Sequence, residues 1–199
     1  MKMKSAAVGI RVHSGWGAVV VMAGQNAEEI LERRKITIID PKAKGVTQPY
    51  HHVEEMELGA AEQHLAKCAS DARRLALEAL GKTTRDLRER GFQLAGAAIL
   101  LSSARPLPDL DEILTSHALI HTAEGEFFRQ AFRQALERLE IPVTGIRERE
   151  LEESVQKAFG SAAAEVQKRI EGLGRSLGPP WTHDEKTAAL AAAVVLASR

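Results

Sequence analysis

Two histidines and a glutamate near the middle of the chain are spaced to share one face of a helix. His117, His121 and Glu124 stand at i, i+4 and i+7, and at 3.6 residues per turn their side chains point the same way. The apolar residues that continue this stripe are Phe128, Phe132, Ala135 and Leu139. Three polar side chains therefore lie at the start of a helical face that must pack against other elements. Burying each of them without a hydrogen-bond partner would cost roughly 1–3 kcal/mol.

Two interpretations of this stripe stay open. In one, the three polar side chains form a hydrogen-bonded buried cluster without chemistry. In the other, His117 and His121 share a divalent metal, as two histidines four residues apart on a helix can, and Glu124 completes the ligands or serves as an acid–base group. We take all three as candidate catalytic residues and the two histidines as candidate metal ligands.

Further residues with suitable chemistry fall at the ends of predicted elements. They are Arg11, His13, His51, His52, His183 and Asp184. Imidazole changes charge between about pH 5 and 8, which suits proton transfer, metal binding or anion capture, and arginine offers phosphate or carboxylate a fixed cation. We predict that these four histidines and the arginine bind ligand and that Asp184 is catalytic. The alternatives are a solvated loop for His51 and His52, a turn for His13, a surface strand position for Arg11 and a helix cap for His183 and Asp184.

The composition predicts a cytoplasmic globular protein without a membrane segment. Its 199 residues fit one domain, 1–199, and its 27 basic and 27 acidic residues cancel, so no global field draws it to nucleic acid. The lone cysteine, Cys68, lies in a helical apolar stripe and cannot form an internal disulfide, so we expect a buried thiol in a reducing compartment. His64 lies in the same helix and is left out of the predicted site. The longest apolar run, residues 187–198, is shorter than the ~20 residues that span a bilayer.

The strands that would position these residues begin with three β-rich runs, residues 6–12, 16–23 and 30–39. Short turns join them, which indicates an antiparallel meander. Residues 94–101 are nearly all apolar, as is typical of a central strand buried on both faces. Residues 141–146 predict a short fifth strand.

Helical patterns fill the intervals between the later strands. Apolar residues recur at spacings of three and four from about residue 53; Gly81 is expected to interrupt this helix and Gly91 to end it. Asp109 and Glu112 have capping-box spacing and predict a helix that runs to about residue 139.

Three more helices follow, over residues 148–159 and 162–173 and then in the apolar run near the end, where Thr182 or Asp184 is the expected cap. The order of elements predicts an α/β fold. It has a mixed sheet, made of a three-strand antiparallel meander and two parallel strands, with helices on both faces.

This order, together with three local motifs, resembles the ribonuclease H-like fold, and in detail it is most similar to the bacterial Holliday-junction resolvases. Val8-Gly9-Ile10 resembles the opening of that family's first strand. Residues 118–146 resemble its second helix and the following strand, and residues 147–196 resemble its ending, with a Pro-rich break before an Ala-Leu-rich helix. The likeness spans almost the whole chain.

The resemblance implies clustered carboxylates that hold two divalent metals around a phosphodiester, but most of those carboxylates are absent. Arg11 stands at the first-strand aspartate position, and residues 97–103 of the central strand contain no glutamate. In the last helix Asp184 matches one family acid, while Ala188 stands where a second would be. The resemblance therefore supports the fold and argues against nuclease activity. It also implies one sheet edge at which the predicted site residues should converge.

Three functions follow from these observations. The first is an inactive ribonuclease H-like protein that binds a small anionic or phosphorylated molecule or acts as a regulatory module. The second is a metal-dependent hydrolase or transferase that uses the histidines, with an unidentified divalent metal as cofactor. The third is an interaction protein that forms a homodimer through the first long helix. The sequence does not decide whether the protein is an enzyme, and nucleic acid stays an alternative partner that the neutral charge does not favour.

Overall fold

A mixed β-sheet forms the middle of the molecule. The computed structural model describes residues 3–24, 28–102 and 106–198. Within these ranges the strands are β1 Lys4–His13, β2 Trp16–Ala23, β3 Glu29–Thr37, β4 Phe92–Leu101 and β5 Val143–Arg147, in the sheet order β3-β2-β1-β4-β5. β1, β2 and β3 pair antiparallel, whereas β4 pairs parallel with both β1 and β5. This arrangement confirms the predicted meander with two added parallel strands.

Helices cover both faces of the sheet, as predicted. They are α1 Pro49–Val53, α2 Leu58–Glu89, α3 Leu110–Leu114, α4 His117–Arg138, α5 Leu151–Phe159, α6 Ala163–Gly172, α7 Gly174–Leu177 and α8 His183–Ala197. On one face, α2 and α4 pack against Val8 and Ile10 of β1. On the other, α5, α6 and α8 pack against Ala7 of β1 and Val20 of β2. Because alternate strand residues point to opposite faces, Arg11 and His13 lie on the α8 face.

The first long helix passes through the glycine that was expected to interrupt it. α2 continues unbroken beyond Gly81 to Glu89. One glycine in a helix interior costs only about 1 kcal/mol, and burial of Leu80 and Leu87 in the core outweighs that cost. Gly91, with a φ of +82°, ends the helix as predicted.

The helix predicted from Asp109 is two helices in the structure. The Asp109 side chain makes no capping hydrogen bond, and the short α3 that follows it ends at Leu114. A second start then occurs at Ser116, whose side chain accepts a hydrogen bond from the backbone N–H of Leu119. The break places His117 in the first turn of α4 rather than in mid-helix.

The packing of α8 on β1 fixes the edge at which the site should lie. Gly9 touches the helix backbone so closely that a Cβ there would lie 1.8 Å from the Ala188 carbonyl oxygen. α8 runs antiparallel to β1 from this contact, so its first turn lies beside the end of β1. The parallel strands β1, β4 and β5 end at the same edge, at His13, Leu101 and Arg147. Ser103 is the last of residues 97–103, the part of the central strand that contains no glutamate, and it lies outside the described residues.

The apolar ending of the chain forms α8, whose small side chains are almost all buried. In the described ranges, no helix combines the length and the apolar character that crossing a bilayer requires.

Candidate functional site

At the sheet edge, Arg11 lies between two carboxylates that come from distant parts of the chain. Its Nε and one terminal nitrogen lie 3.1 Å and 3.2 Å from the two carboxylate oxygens of Glu148, in the segment that follows β5. Its other terminal nitrogen donates a hydrogen bond to Oδ1 of Asp184 in the first turn of α8. The hydrogen bonds that Arg11 donates to Glu148 raise the pKa of Arg11, so the guanidinium is a permanent cation bound on both sides.

Asp184 contacts two basic side chains, Arg11 and His13. Partial burial acts against its ionised form, but the hydrogen bond from Arg11 and the charge of His13 hold the pKa of Asp184 below its usual value. His13 Nε2 lies 3.2 Å from Asp184 Oδ2. The helix cap is Thr182, which forms a capping box with Glu185. The alternative role of Asp184 as a cap is therefore filled by another residue.

The ring of His13 is fixed by an aromatic neighbour. It stacks on Trp16 with ring centroids 4.2 Å apart and an interplanar angle of 13°. The Lys35 ammonium lies 4.1 Å from the centroid of the Trp16 ring. His183, the other predicted histidine near this edge, lines a cleft of about 500 Å³ between α5, α6 and α8 together with Glu148 and Lys186.

A second cluster lies at the start of α4, on the side of the molecule where α2 and α4 pack. His117 and His121 occupy the same helical face, and their Nε2 atoms are 3.0 Å apart. His51 of α1 contacts both rings, at centroid distances of 5.4 Å and 4.7 Å. One nitrogen from each of the three imidazoles lies within 4.8 Å of the others. We call His51, His117 and His121 the histidine triad.

Glu124 connects α4 to α1 beneath the histidine triad. Its Oε1 accepts hydrogen bonds from the backbone N–H groups of Tyr50 and His51, at 2.8 Å and 3.1 Å, and lies 3.2 Å from His51 Nδ1. Its Oε2 is buried and has no hydrogen-bond partner among the described residues. Burial raises the pKa of Glu124, although the hydrogen bonds from His51 and Tyr50 act in the opposite direction.

His52 faces away from the histidine triad into a cleft of about 490 Å³ between α2 and the loop that follows β3. Its ring lies 4.8 Å from that of His64, whose Nε2 is 3.4 Å from the sulfur of Cys68. Cys68 is buried, as predicted, and burial raises the pKa of its thiol. His64, which the sequence pattern left out of the site, is thus a neighbour of a predicted site residue.

The predicted site residues therefore form separate groups instead of one. Arg11, His13 and Asp184 meet on the α8 face, with His183 beside them. The histidine triad and Glu124 meet where α1 joins α4, and His52 lies in the α2 cleft. The three residues of the α4 stripe do lie together, but Glu124 bonds to His51 of α1 instead of to either histidine of its own helix.

Glu148 is the residue of the sheet-edge group that the sequence pattern did not single out. It directly follows the last strand, and the ends of parallel strands meet at one edge of a sheet. That rule, applied to the residue after β5, would have placed Glu148 beside Arg11.

Comparison with known proteins gives the fold. The chain is similar to two solved structures of RuvC from Thermus thermophilus, one of them in complex with a Holliday junction substrate. The TM-scores are 0.55 for the complex and 0.51 for the other structure, at 14% and 12% sequence identity, and each alignment covers 98% of this chain and 95% of RuvC. No protein-family profile and no curated protein sequence matches the chain. The fold is thus ribonuclease H-like, as in RuvC.

Proposed function

We propose that this ribonuclease H-like protein does not cleave phosphodiesters at its sheet edge and instead binds a small anionic or phosphorylated molecule, as a binding or regulatory module. The observation that carries the proposal is the bonding of Arg11 to both Asp184 and Glu148. A two-metal nuclease needs converging carboxylates that are free to coordinate. Here both carboxylates are neutralised by a cation of the chain itself.

The charge of Arg11 also opposes entry of a metal. Two like unit charges 4 Å apart repel by about 4 kcal/mol near a protein surface, and a divalent ion doubles that repulsion. β4 brings no acid to this edge, since its sequence is FQLAGAAILL. Ala188, on the next turn of α8, is fully buried against β1 and leaves no space for an ion there.

A cleavage assay tests the nuclease part of the proposal. The full chain is incubated with a four-way DNA junction and millimolar Mg²⁺ or Mn²⁺, and the products are separated on a gel. We expect no cleavage above that of an Asp184→Ala control. Cleavage by the wild type that Asp184→Ala abolishes would refute the proposal.

The cleft beside His52 is the best candidate for the site that binds the anionic ligand. Its volume of about 490 Å³ is within the range of small-molecule sites. Lys44 and Lys67 line it, and neither forms an ion pair in the part of the chain that the structure describes, whereas Asp71 is paired with Arg74. Asp40 also lines the cleft, so the two lysines leave a surplus of one positive charge, which favours an anion, and His52 can add a hydrogen bond.

Titration calorimetry with pyrophosphate tests this part of the proposal. We expect saturable binding that weakens at least about tenfold in Lys67→Ala, since charge-assisted hydrogen bonds contribute about 1.5–3 kcal/mol. Lys82→Ala is the matched control, because Lys82 lies on the same helix and pairs with Asp86 outside the cleft. Equal affinity in both variants would exclude this cleft as the anion site.

A metal-dependent hydrolase or transferase is the second candidate function. The observation that favours it is the histidine triad. Three histidine ligands with a fourth position open to solvent would resemble the ligand set of a catalytic zinc site. Turnover of a phosphate monoester or a simple ester by zinc-loaded protein, lost in His121→Ala, would support it. No turnover with zinc demonstrably bound would exclude it for those substrates.

A further inference from the structure

The three imidazoles of the histidine triad come from two elements that are far apart in sequence. His117 and His121 lie one turn apart at the start of α4, and His51 reaches them from α1. Their candidate ligand atoms all lie within 4.8 Å of one another. We propose that His51, His117 and His121 bind one zinc-class divalent cation, with Glu124 as the residue that positions His51.

The contacts of Glu124 determine which nitrogen of His51 is available. Because Oε1 of Glu124, which already accepts two backbone hydrogen bonds, lies 3.2 Å from His51 Nδ1, we infer that this nitrogen carries the proton and that Nε2 keeps its lone pair. A carboxylate behind a metal-binding imidazole is the usual outer-shell arrangement, since it fixes the tautomer and the ring orientation. The same carboxylate oxygen holds the backbone N–H groups of Tyr50 and His51, so it fixes the position of α1 as well.

The distances fit a small metal after a modest closing movement. With metal–nitrogen bonds of about 2.0–2.1 Å and tetrahedral angles, the ligand nitrogens lie about 3.4 Å apart. The His117–His121 pair is at 3.0 Å, and the remaining pairs are within 4.8 Å. His117 and His121 are exposed, so rotation of their side chains can supply the difference.

The ligand chemistry selects the class of metal. Neutral imidazole nitrogens suit zinc, cobalt, nickel and copper, whereas magnesium and calcium require mostly oxygen ligands. Glu124 is occupied by α1 and His51, which leaves three nitrogen ligands and a fourth position open to solvent. Without a metal, the His117–His121 contact is a hydrogen bond between one protonated and one unprotonated ring nitrogen.

The inference goes beyond the proposed anion-binding function and does not rest on it. The triad shares no residue with the Arg11 group or with the His52 cleft. The metal site and the second candidate function can also fail separately. If the protein binds zinc but turns over no substrate, the metal site stands and only the hydrolase or transferase activity is excluded.

Metal binding is tested on the full chain, free of any polyhistidine tag and stripped with a chelator. Zinc is titrated by calorimetry, and cobalt is used in parallel because its visible spectrum reports the ligand geometry. We expect one zinc per chain and a tetrahedral cobalt spectrum. We expect binding to weaken more than about 100-fold in His121→Ala and about 10–100-fold in Glu124→Gln, the range known for outer-shell partners.

His64→Ala is the matched control, because His64 has a histidine neighbour but lies outside the triad. It should bind zinc as the wild type does. If His121→Ala fails to fold, His117→Gln replaces it, because the His117 side chain is exposed. Zinc affinity that is unchanged in His121→Ala and His117→Gln, or wild-type protein that binds no zinc, would overturn the proposal.

Discussion

Glu124 shows how one buried carboxyl group can organise two elements. Its Oε1 satisfies two free N–H groups at the start of α1 and faces the ring of His51, while its Oε2 has no partner among the described residues. The side chain of Gln48, the N-cap residue of α1, makes no capping hydrogen bond. α4 therefore supplies the cap of α1, which explains why His51 stands beside His117 and His121.

The raised pKa of Glu124 predicts a defined pH dependence of stability. Because the folded protein holds the proton more tightly than the unfolded chain does, the stabilisation is complete below the ordinary value of 4.5 and is lost as the pH rises through the folded pKa. Glu124→Gln cannot titrate. The free energy of unfolding of the wild type should therefore fall relative to that of Glu124→Gln as the pH rises above 4.5, and the gap should then stay constant.

Urea unfolding of both proteins in parallel, at several pH values from acid to neutral, measures this gap. At low pH both side chains are neutral, so the difference in unfolding free energy measured there is the reference for the values at higher pH. A difference (wild type minus Glu124→Gln) that does not change with pH, or that increases as the pH rises, would contradict the assignment of a desolvated carboxyl group at this position.

At Arg11 a charged side chain is balanced by two carboxylates of opposite charge. Its guanidinium forms paired contacts with Glu148 and one hydrogen bond with Asp184. The group is only partly buried, since the Glu148 side chain is 41% exposed, so solvent screens these pairs and their net contribution to stability is small. The arginine balances the charge of the two acids that face it.

At the scale of elements, the contact between α8 and β1 decides where Asp184 lies. Gly9→Ala would place a methyl group 1.8 Å from the Ala188 carbonyl oxygen, which is backbone and cannot turn away. Overpacking of this kind costs about 1–3 kcal/mol and sometimes more. We expect Gly9→Ala to lower the free energy of unfolding by about 3 kcal/mol, as measured by urea denaturation.

Gly172→Ala is the matched control for this prediction, since a Cβ there meets no atom within 4 Å. We expect a change of less than about 1 kcal/mol from it. Equal stability of the two variants would mean that α8 does not rest on β1 at Gly9.

Residues 33–35 form a short basic run on β3, Arg-Arg-Lys, and its two arginines make internal contacts. One terminal nitrogen of Arg33 donates a 2.7 Å hydrogen bond to the carbonyl oxygen of Gly178, and the other reaches the carbonyl of Leu177. Arg34 bonds to the Ala79 carbonyl at the far end of α2. These two arginines therefore hold neighbouring segments in place.

Elements with long, regular patterns could be predicted from the sequence, whereas the shortest helices could not. β2 was predicted at its observed bounds because a continuous apolar run between turns is a strong signal. α1 and α7 have five and four residues, too few to show a helical period. The break before α4 was missed because the apolar stripe continues across it and only Ser116 marks the new start.

The groupings within the site depend on contacts that no local pattern contains. Arg11 and Glu148 are 137 residues apart, and Glu124 and His51 are 73 apart. The i, i+4 spacing correctly predicted that His117 and His121 are neighbours. It could not show that Glu124 faces α1 or that His51 turns toward one group while His52 turns toward another.

At the scale of the whole molecule, the sheet separates two groups of residues with different chemistry. The α8 face carries a compensated group of one arginine, one histidine and two carboxylates. The junction of α1 and α4 carries three imidazoles above a buried carboxyl group. We propose that this division removes the capacity for metal binding from the strand ends and gives it to the first turn of α4. The loss at the strand ends is the central claim of our account.

Calorimetric titration of Mg²⁺ into the full chain tests this claim most directly, because magnesium seeks carboxylates and does not compete for imidazoles. We predict no saturable binding by the wild type and binding by Arg11→Asp, in which three acids would meet at the strand ends. Magnesium binding by the wild type that is lost in Asp184→Asn would contradict the account.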